Sequence, residues 1–98
     1  MTPEEIKTAL EDLPGWKLVE VDQMLQLEKA YSFKDFAEAL AFTNQVGALA
    51  EKEDHHPALL TEWGKVTLNW WSHSTKGVTE NDLKLAAMVE ELTRIDPD

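Results

Sequence analysis

The spacing of apolar positions switches between helical and strand-like periods along the chain, and turn residues punctuate the switches. Thr2, Pro3 and Glu5 predict a helix start: Thr2 as N-cap, Pro3 at the first helical position, Glu5 closing a capping box. Leu13-Pro14-Gly15 stops that helix, since proline cannot continue it and glycine permits the turn. Trp16 to Val21 and Leu25 to Tyr31 read as a hairpin around Asp22-Gln23. Leu25 and Leu27 alternate there with Gln26 and Glu28, the pattern of a strand buried on one side. Ser32 is expected to cap a longer helix, with Asp35 three residues on. Phe33, Phe36, Ala37, Leu40 and Ala41 make one apolar face of it, and Phe42, Val46 and Leu49 a second at i, i+4, i+7. A fully buried helix explains two such faces. In a chain this short the favoured reading is that one face meets the sheet and the Phe42–Val46–Leu49 face meets another copy of the chain.

Pro57 to Trp63 and Val66 to Ser72 predict a second hairpin, turning at Gly64-Lys65. Val66, Leu68 and Trp70 share one face of its second strand, and Thr67, Asn69, Trp71 and His73 the other. Thr79-Glu80-Asn81-Asp82 opens a last helix with a buried stripe of Leu85, Met88, Val89, Leu92 and Ile95. The order helix, hairpin, helix, hairpin, helix predicts an α+β fold: a four-stranded, mostly antiparallel sheet with three helices on one face. The other face is left uncovered. Trp71 and His73 point that way, as the floor of a ligand site or as surface decoration.

Composition narrows the function classes. At 98 residues and 11.1 kDa the chain, 1–98, makes one domain that buries roughly 60–65% of its unfolded surface. A core this modest invites oligomerisation. The formal charge of −10 speaks against binding to nucleic acid or anionic membrane, which requires clustered Lys and Arg. The absence of Cys removes disulfides, thiolate metal sites and thiol nucleophiles, and suits a reducing compartment. No apolar run approaches the roughly 18 residues of a membrane span. The segment Met1-Thr2-Pro3-Glu4-Glu5 is acidic where a signal peptide is basic and then apolar, so a cytoplasmic location is expected.

Chemistry concentrates in three histidines: His55 and His56, adjacent and followed by Pro57, and His73 after the last strand. Three imidazoles among carboxylates invite a metal reading. Adjacent residues in extended backbone point to opposite sides, however, and no recognised zinc spacing is present, so no metal is expected. No Gly-x-Ser-x-Gly elbow or glycine-rich phosphate loop exists. Acid–base chemistry remains, for which imidazole suits because both protonation states are available near neutrality. The alternative is that His55 and His56 only close a loop before Pro57.

The spacing Glu51, three residues, His55-His56-Pro57, five residues, Trp63, nine residues, His73, eight residues, Asp82 resembles that of the pterin-4a-carbinolamine dehydratases. Gly77-Val78-Thr79 leading into Asp82, Leu13-Pro14-Gly15-Trp16, and Leu27-x-Lys29-x-Tyr31-x-Phe33-x-x-Phe36 extend the resemblance from Leu13 to Leu92. It implies a lyase that removes water from a 4a-hydroxytetrahydropterin, giving a quinonoid dihydropterin and recycling the pterin of aromatic amino acid hydroxylation, with no cofactor. His55 and His73 match the acid–base pair, and His56 a group that binds and positions. Glu51 and Asp82 match carboxylates near the site, and Asp54 a supporting residue. Many relatives carry Glu-Trp after His-His-Pro, where this chain has Ala58-Leu59. Leu59 can pack on a pterin face without stacking, and Trp71 is a candidate to compensate. The resemblance implies the fold read above, as homodimer or homotetramer, with a helical interface in the tetramer. It also carries a rival: a non-catalytic protein-binding module, acting as transcriptional coactivator or assembly factor. Divergent relatives of that kind tend to lose the histidines that this chain keeps.

Overall fold

The computed structural model describes residues 1–94. Helix α1 (Pro3–Leu10) is followed by strands β1 (Lys17–Val21) and β2 (Met24–Ser32), helix α2 (Phe36–Glu53), strands β3 (Ala58–Glu62) and β4 (Lys65–Trp70), and helix α3 (Glu80–Arg94). The strands form one antiparallel sheet in the order β1-β2-β4-β3. The order of elements and the α+β class are those the sequence predicts. None of the described helices is long and apolar enough to cross a membrane.

Local rules account for most boundaries. Thr2 accepts from Glu5 N–H at 3.1 Å and donates its own backbone N–H to the Glu5 carboxylate at 2.8 Å, completing the capping box. Asp22 and Gln23 both have positive φ, 51° and 66°, so Val21 pairs with Met24 across a two-residue turn whose twist matches the strands. The second hairpin turns one residue earlier than predicted, at Trp63-Gly64, because Glu62 pairs with Lys65 and Gly64 takes φ +73°.

The largest correction concerns α2. Ser32 does not cap it. Ser32 ends β2, paired with Lys65, and the Phe33 N–H donates to the Gly64 carbonyl at 2.8 Å. Pairing with β4 holds these residues extended, and the cap passes to Asp35, whose carboxylate accepts from Glu38 N–H at 2.9 Å. The apolar faces also exchange roles. Ala39, Phe42, Val46 and Ala50 are buried and Leu49 is partly so, whereas Phe36 is 44% exposed and Leu40 43%. The buried stripe runs nearly the full helix, and Phe42 meets the rings of Tyr31 (4.8 Å) and Phe33 (5.1 Å). The Phe36–Leu40 stripe gives way to Asn44 and Gln45 and covers less. Phe42, Val46 and Leu49 therefore serve the core and not a subunit contact.

The core joins that stripe to Ile6, Trp16, Leu27, Val66, Leu68, Trp70, Val78, Leu85, Ala86 and Val89. Met88 and Leu92 pack on it in part, as the predicted α3 stripe requires, while Ile95 lies outside the described residues. No described helix covers the other side of the sheet. Gln26 is nonetheless buried there, accepting from the Asn69 carboxamide at 3.0 Å, and the same carboxamide reaches Glu28 at 3.2 Å.

Far along α3, one oxygen of Glu90 collects three donors: Lys29 Nζ at 2.7 Å, Trp16 Nε1 at 3.2 Å and the Tyr31 hydroxyl. Lys29 also donates to the Pro14 carbonyl at 2.9 Å. This cluster ties α3 to β2 and to the turn before β1. Burial alone would raise the Glu90 carboxyl, but the hydrogen bonds from Lys29, Tyr31 and Trp16 outweigh it and hold the group below its ordinary value near 4.5. Burial, reinforced by the hydrogen bond to Glu90 and its charge, raises the Tyr31 phenol.

A carboxyl depressed on folding stabilises fully above the unfolded value and loses that contribution as pH falls through the folded value. Denaturant titrations from neutral pH to about pH 3 are therefore expected to show an acid loss of stability that Glu90→Gln flattens. At neutral pH the same substitution is expected to destabilise by about 2 kcal/mol, since it weakens bonds to a charged acceptor. Equal stability of the two proteins at neutral pH would contradict this account.

Candidate active site

Two chain reversals bring the histidines together. Asp54 ends α2 in the left-handed conformation, φ 53°, which Asp tolerates better than most side chains. The His55 N–H then reaches back to the Ala50 carbonyl at 3.1 Å, a Schellman-type termination. After β4, Ser72 bridges to Gly77, with Ser72 N–H on the Gly77 carbonyl at 2.8 Å and Lys76 N–H on the Ser72 carbonyl at 2.8 Å. His73 sits at the exposed tip of this loop, and Thr79 then caps α3.

Between the two connections lies a cavity of about 460 Å³, within the usual range for small-molecule sites. Asp54, His55, His56, Ser72, His73 and Thr79 are among the residues that line it, with Ser74, Thr75 and Asn81 at the loop and the first turn of α3. All three histidines that the sequence singles out meet in it.

Their surroundings differ. His55 lies largely buried, with Nε2 2.6 Å from Asp82 Oδ1 and its ring stacked on Trp70 at 5.8 Å and 19°. Asp82 is fully buried. Its second oxygen accepts from the Ser72 hydroxyl at 2.8 Å, the Thr79 N–H at 2.9 Å and the Thr79 hydroxyl at 3.3 Å. His56 turns outward, with Nε2 2.6 Å from Glu51, and both side chains are more than half exposed. The adjacent imidazoles thus go to different carboxylates, as the opposite sides of extended backbone require. His73 Nε2 lies 3.4 Å from the His56 carbonyl, and its ring packs on Trp71 at 4.9 Å. Among the described residues no three His, Asp or Glu side chains are grouped to hold a metal ion.

The other sequence candidates fall further out. Leu59 pairs with Leu68 on the helix-facing side of the sheet and packs on the core, away from the cavity lining. Register decides this: Ala58 and Leu60 take the uncovered side, so Leu59 cannot. Trp71 reaches the site through His73 and is not itself a lining residue. Trp63 stands at a hairpin tip, 73% exposed. The sequence pattern points to no site role for Ser72, Thr79 or Trp70. Thr79-x-x-Asp82 carried a signal, because a capping box turns the acidic side chain back toward the cap. Nothing in the sequence marks Ser72 or Trp70 as neighbours of His55.

An imidazole backed by a buried carboxylate, with two further imidazoles at the same cavity, can take and return protons on a bound molecule. The family model described as pterin 4 alpha carbinolamine dehydratase matches residues 1–92. A protein of Vibrio cholerae serotype O1, provisionally named pterin-4-alpha-carbinolamine dehydratase, is 53% identical over 93 residues, 95% of this chain and 85% of its own length. One of Syntrophotalea carbinolica with the same provisional name is 50% identical over 91 residues, 93% of this chain and 81% of its own. The chain belongs to the pterin-4a-carbinolamine dehydratase family. Among solved structures, a transcriptional coactivator/pterin dehydratase from Brucella melitensis superposes with TM-score 0.82 at 36% identity, covering 93% of this chain and 95% of its own. A pterin dehydratase-like RuBisCO assembly factor of the alpha-carboxysome shares the fold, with TM-score 0.66 at 24% identity over 80% of this chain and 88% of its own.

The two carboxylate–histidine pairs are expected to differ sharply in stability. Asp82→Ala leaves buried donors without an acceptor and is expected to cost about 3 kcal/mol. Glu51→Ala alters a solvated pair and is expected to stay within about 0.5 kcal/mol of the parent. Urea denaturation of both variants checks the contrast.

Proposed function

We propose that this protein is a 4a-hydroxytetrahydropterin dehydratase. In the reaction a base takes the proton from N5, the electron pair of that N–H bond forms the C4a–N5 double bond, and the C4a–O bond breaks. An acid protonates the departing hydroxyl, which leaves as water, and the product is a quinonoid dihydropterin. Hydroxide is a poor leaving group, so both proton transfers matter, and positioned side chains typically contribute 10²–10⁴-fold each.

The observation that carries this reading is the convergence of His55, backed by Asp82, with His73 and His56 on one cavity of small-molecule size. His55 and His73 form the acid–base pair. His56, steadied by Glu51, binds and positions the substrate. Trp71 supports the site by packing on His73, and Leu59 contributes only as core beneath β3. The enzyme needs no cofactor in this reading. It works in the cytoplasm, as one domain, recycling the pterin of aromatic amino acid hydroxylation, the route to which tetrahydrobiopterin belongs.

The chain works as a homodimer or homotetramer, and the exposed Phe36 and Leu40 on α2 supply the subunit contact in place of Phe42, Val46 and Leu49. The same exposed face favours a second reading, a protein-binding module; one solved relative is a transcriptional coactivator/pterin dehydratase and another a RuBisCO assembly factor.

Purified protein added to enzymatically generated carbinolamine is expected to speed the ultraviolet absorbance change beyond spontaneous dehydration. His55→Ala and His73→Ala are each expected to lower kcat by about 100-fold or more, and His56→Ala to act mainly on KM. No acceleration by the parent protein would favour the binding role. For the assembly, Leu40→Glu is expected to reduce the mass measured by light scattering.

A further inference from the structure

Resting on the dehydratase reading of this cavity, the geometry points to a lock on the tautomer of His55, in which Ser72 and Thr79 are positioning residues. The lock starts at Asp82 Oδ2. The Thr79 backbone N–H, 2.9 Å away, can only donate. The Ser72 hydroxyl donates to the same oxygen at 2.8 Å. Ser72 Oγ also lies 2.8 Å from Thr79 Oγ1, so the single Thr79 hydroxyl proton is shared between the serine oxygen and Asp82 Oδ2, 3.3 Å away, while the serine proton points at Asp82. These donors hold Oδ2 as an acceptor and fix the plane of the carboxylate. The other oxygen, Oδ1, faces His55 Nε2 at 2.6 Å.

An ionised carboxylate only accepts, so the neutral His55 ring carries its proton on Nε2. The lone pair is then on Nδ1, which leaves that nitrogen to exchange protons with a molecule in the cavity that His55 lines. Stacking on Trp70 resists rotation of the ring out of this arrangement. When Nδ1 takes a proton, the imidazolium that forms faces a buried negative charge through a charge-assisted hydrogen bond. His56 faces an exposed carboxylate and His73 a backbone carbonyl, so neither has an equivalent support. His55 is accordingly the base that takes the N5 proton.

Asp82→Asn tests the lock directly. Oδ2 keeps its donors from Ser72 and Thr79, so the oxygen of the new carboxamide must occupy that side, which turns its NH₂ toward His55 Nε2. Nε2 must then accept, and the ring proton moves to Nδ1. Nitrogen-15 correlation spectra of the imidazoles are expected to show the unprotonated nitrogen of His55 as Nδ1 in the parent and Nε2 in Asp82→Asn. With the carbinolamine as substrate, kcat is expected to fall by about 10³-fold or more, as happens when a catalytic histidine is held in the wrong tautomer, with KM changed far less. An unchanged tautomer overturns the lock whatever the activity. An inverted tautomer in a protein whose parent form has no dehydratase activity upholds the lock and sinks the functional reading.

A second pair covers the case in which Asp82→Asn does not fold. Ser72→Thr keeps the hydroxyl and is expected to retain kcat within about 2-fold, while Ser72→Ala is expected to lose about tenfold in kcat at unchanged KM. The opposite order, with Ala tolerated and the extra methyl of Thr not, identifies Ser72 as packing only and overturns its positioning role.

Discussion

The site is organised by a single buried negative charge, that of Asp82. A carboxylate out of water is tolerable only when its lone pairs are met, and here they are met from three elements: the connection after β4 through Ser72, the cap of α3 through Thr79, and the connection after α2 through His55. The same bonds satisfy the N-terminus of α3 and orient an imidazole. Structural and chemical demands therefore fall on one group. Removing it disturbs a helix end and a candidate catalytic histidine at once.

Helix α3 carries a second such carboxylate. Glu90 lies eight residues beyond Asp82, about 12 Å along the helix axis, and receives Lys29, Tyr31 and Trp16. The helix is thus fastened near both ends, at Asp82 to the connections that carry His55 and Ser72 and at Glu90 to β2, with Leu85, Ala86 and Val89 buried between them. In a chain with a small core, this anchoring limits how far Asp82 can move relative to His55. A displacement of 1 Å at such a pair is enough to cost much of an acid–base contribution.

The division of labour proposed for the histidines rests on their burial. His55 is stacked, hydrogen-bonded and largely enclosed, so its orientation is set before any ligand arrives. His56 and His73 stand on exposed connections with weaker ties, and they can adjust to what enters the cavity. Family membership agrees with a pterin as that molecule, while one solved relative is described as a transcriptional coactivator as well as a pterin dehydratase. The exposed Phe36–Leu40 stripe on α2 is a separate feature, on the side of the helix away from the core, so the proposed contact surface and the candidate site use different residues.

The alternation of apolar residues, the capping box at Thr2, the turn at Asp22-Gln23 and the helix–hairpin order were legible in the sequence, because each rests on neighbours within a few positions. The three histidines and Asp82 were legible as a spacing that resembles a family. Other features needed the folded chain. Ser32 looked like a helix cap until pairing with Lys65 placed it in the sheet. Phe42 and Val46 looked spare until the stripe that buries the longer contact prevailed. Leu59 looked like part of the site until strand register turned it to the core. Ser72 and Trp70 became neighbours of His55 only when β3 was paired with β4 and α3 was folded back over the sheet. Local pattern determined what each segment is. Which face is buried, and which groups share a proton, depended on contacts between residues far apart in the chain, and those exist only once the sheet has closed.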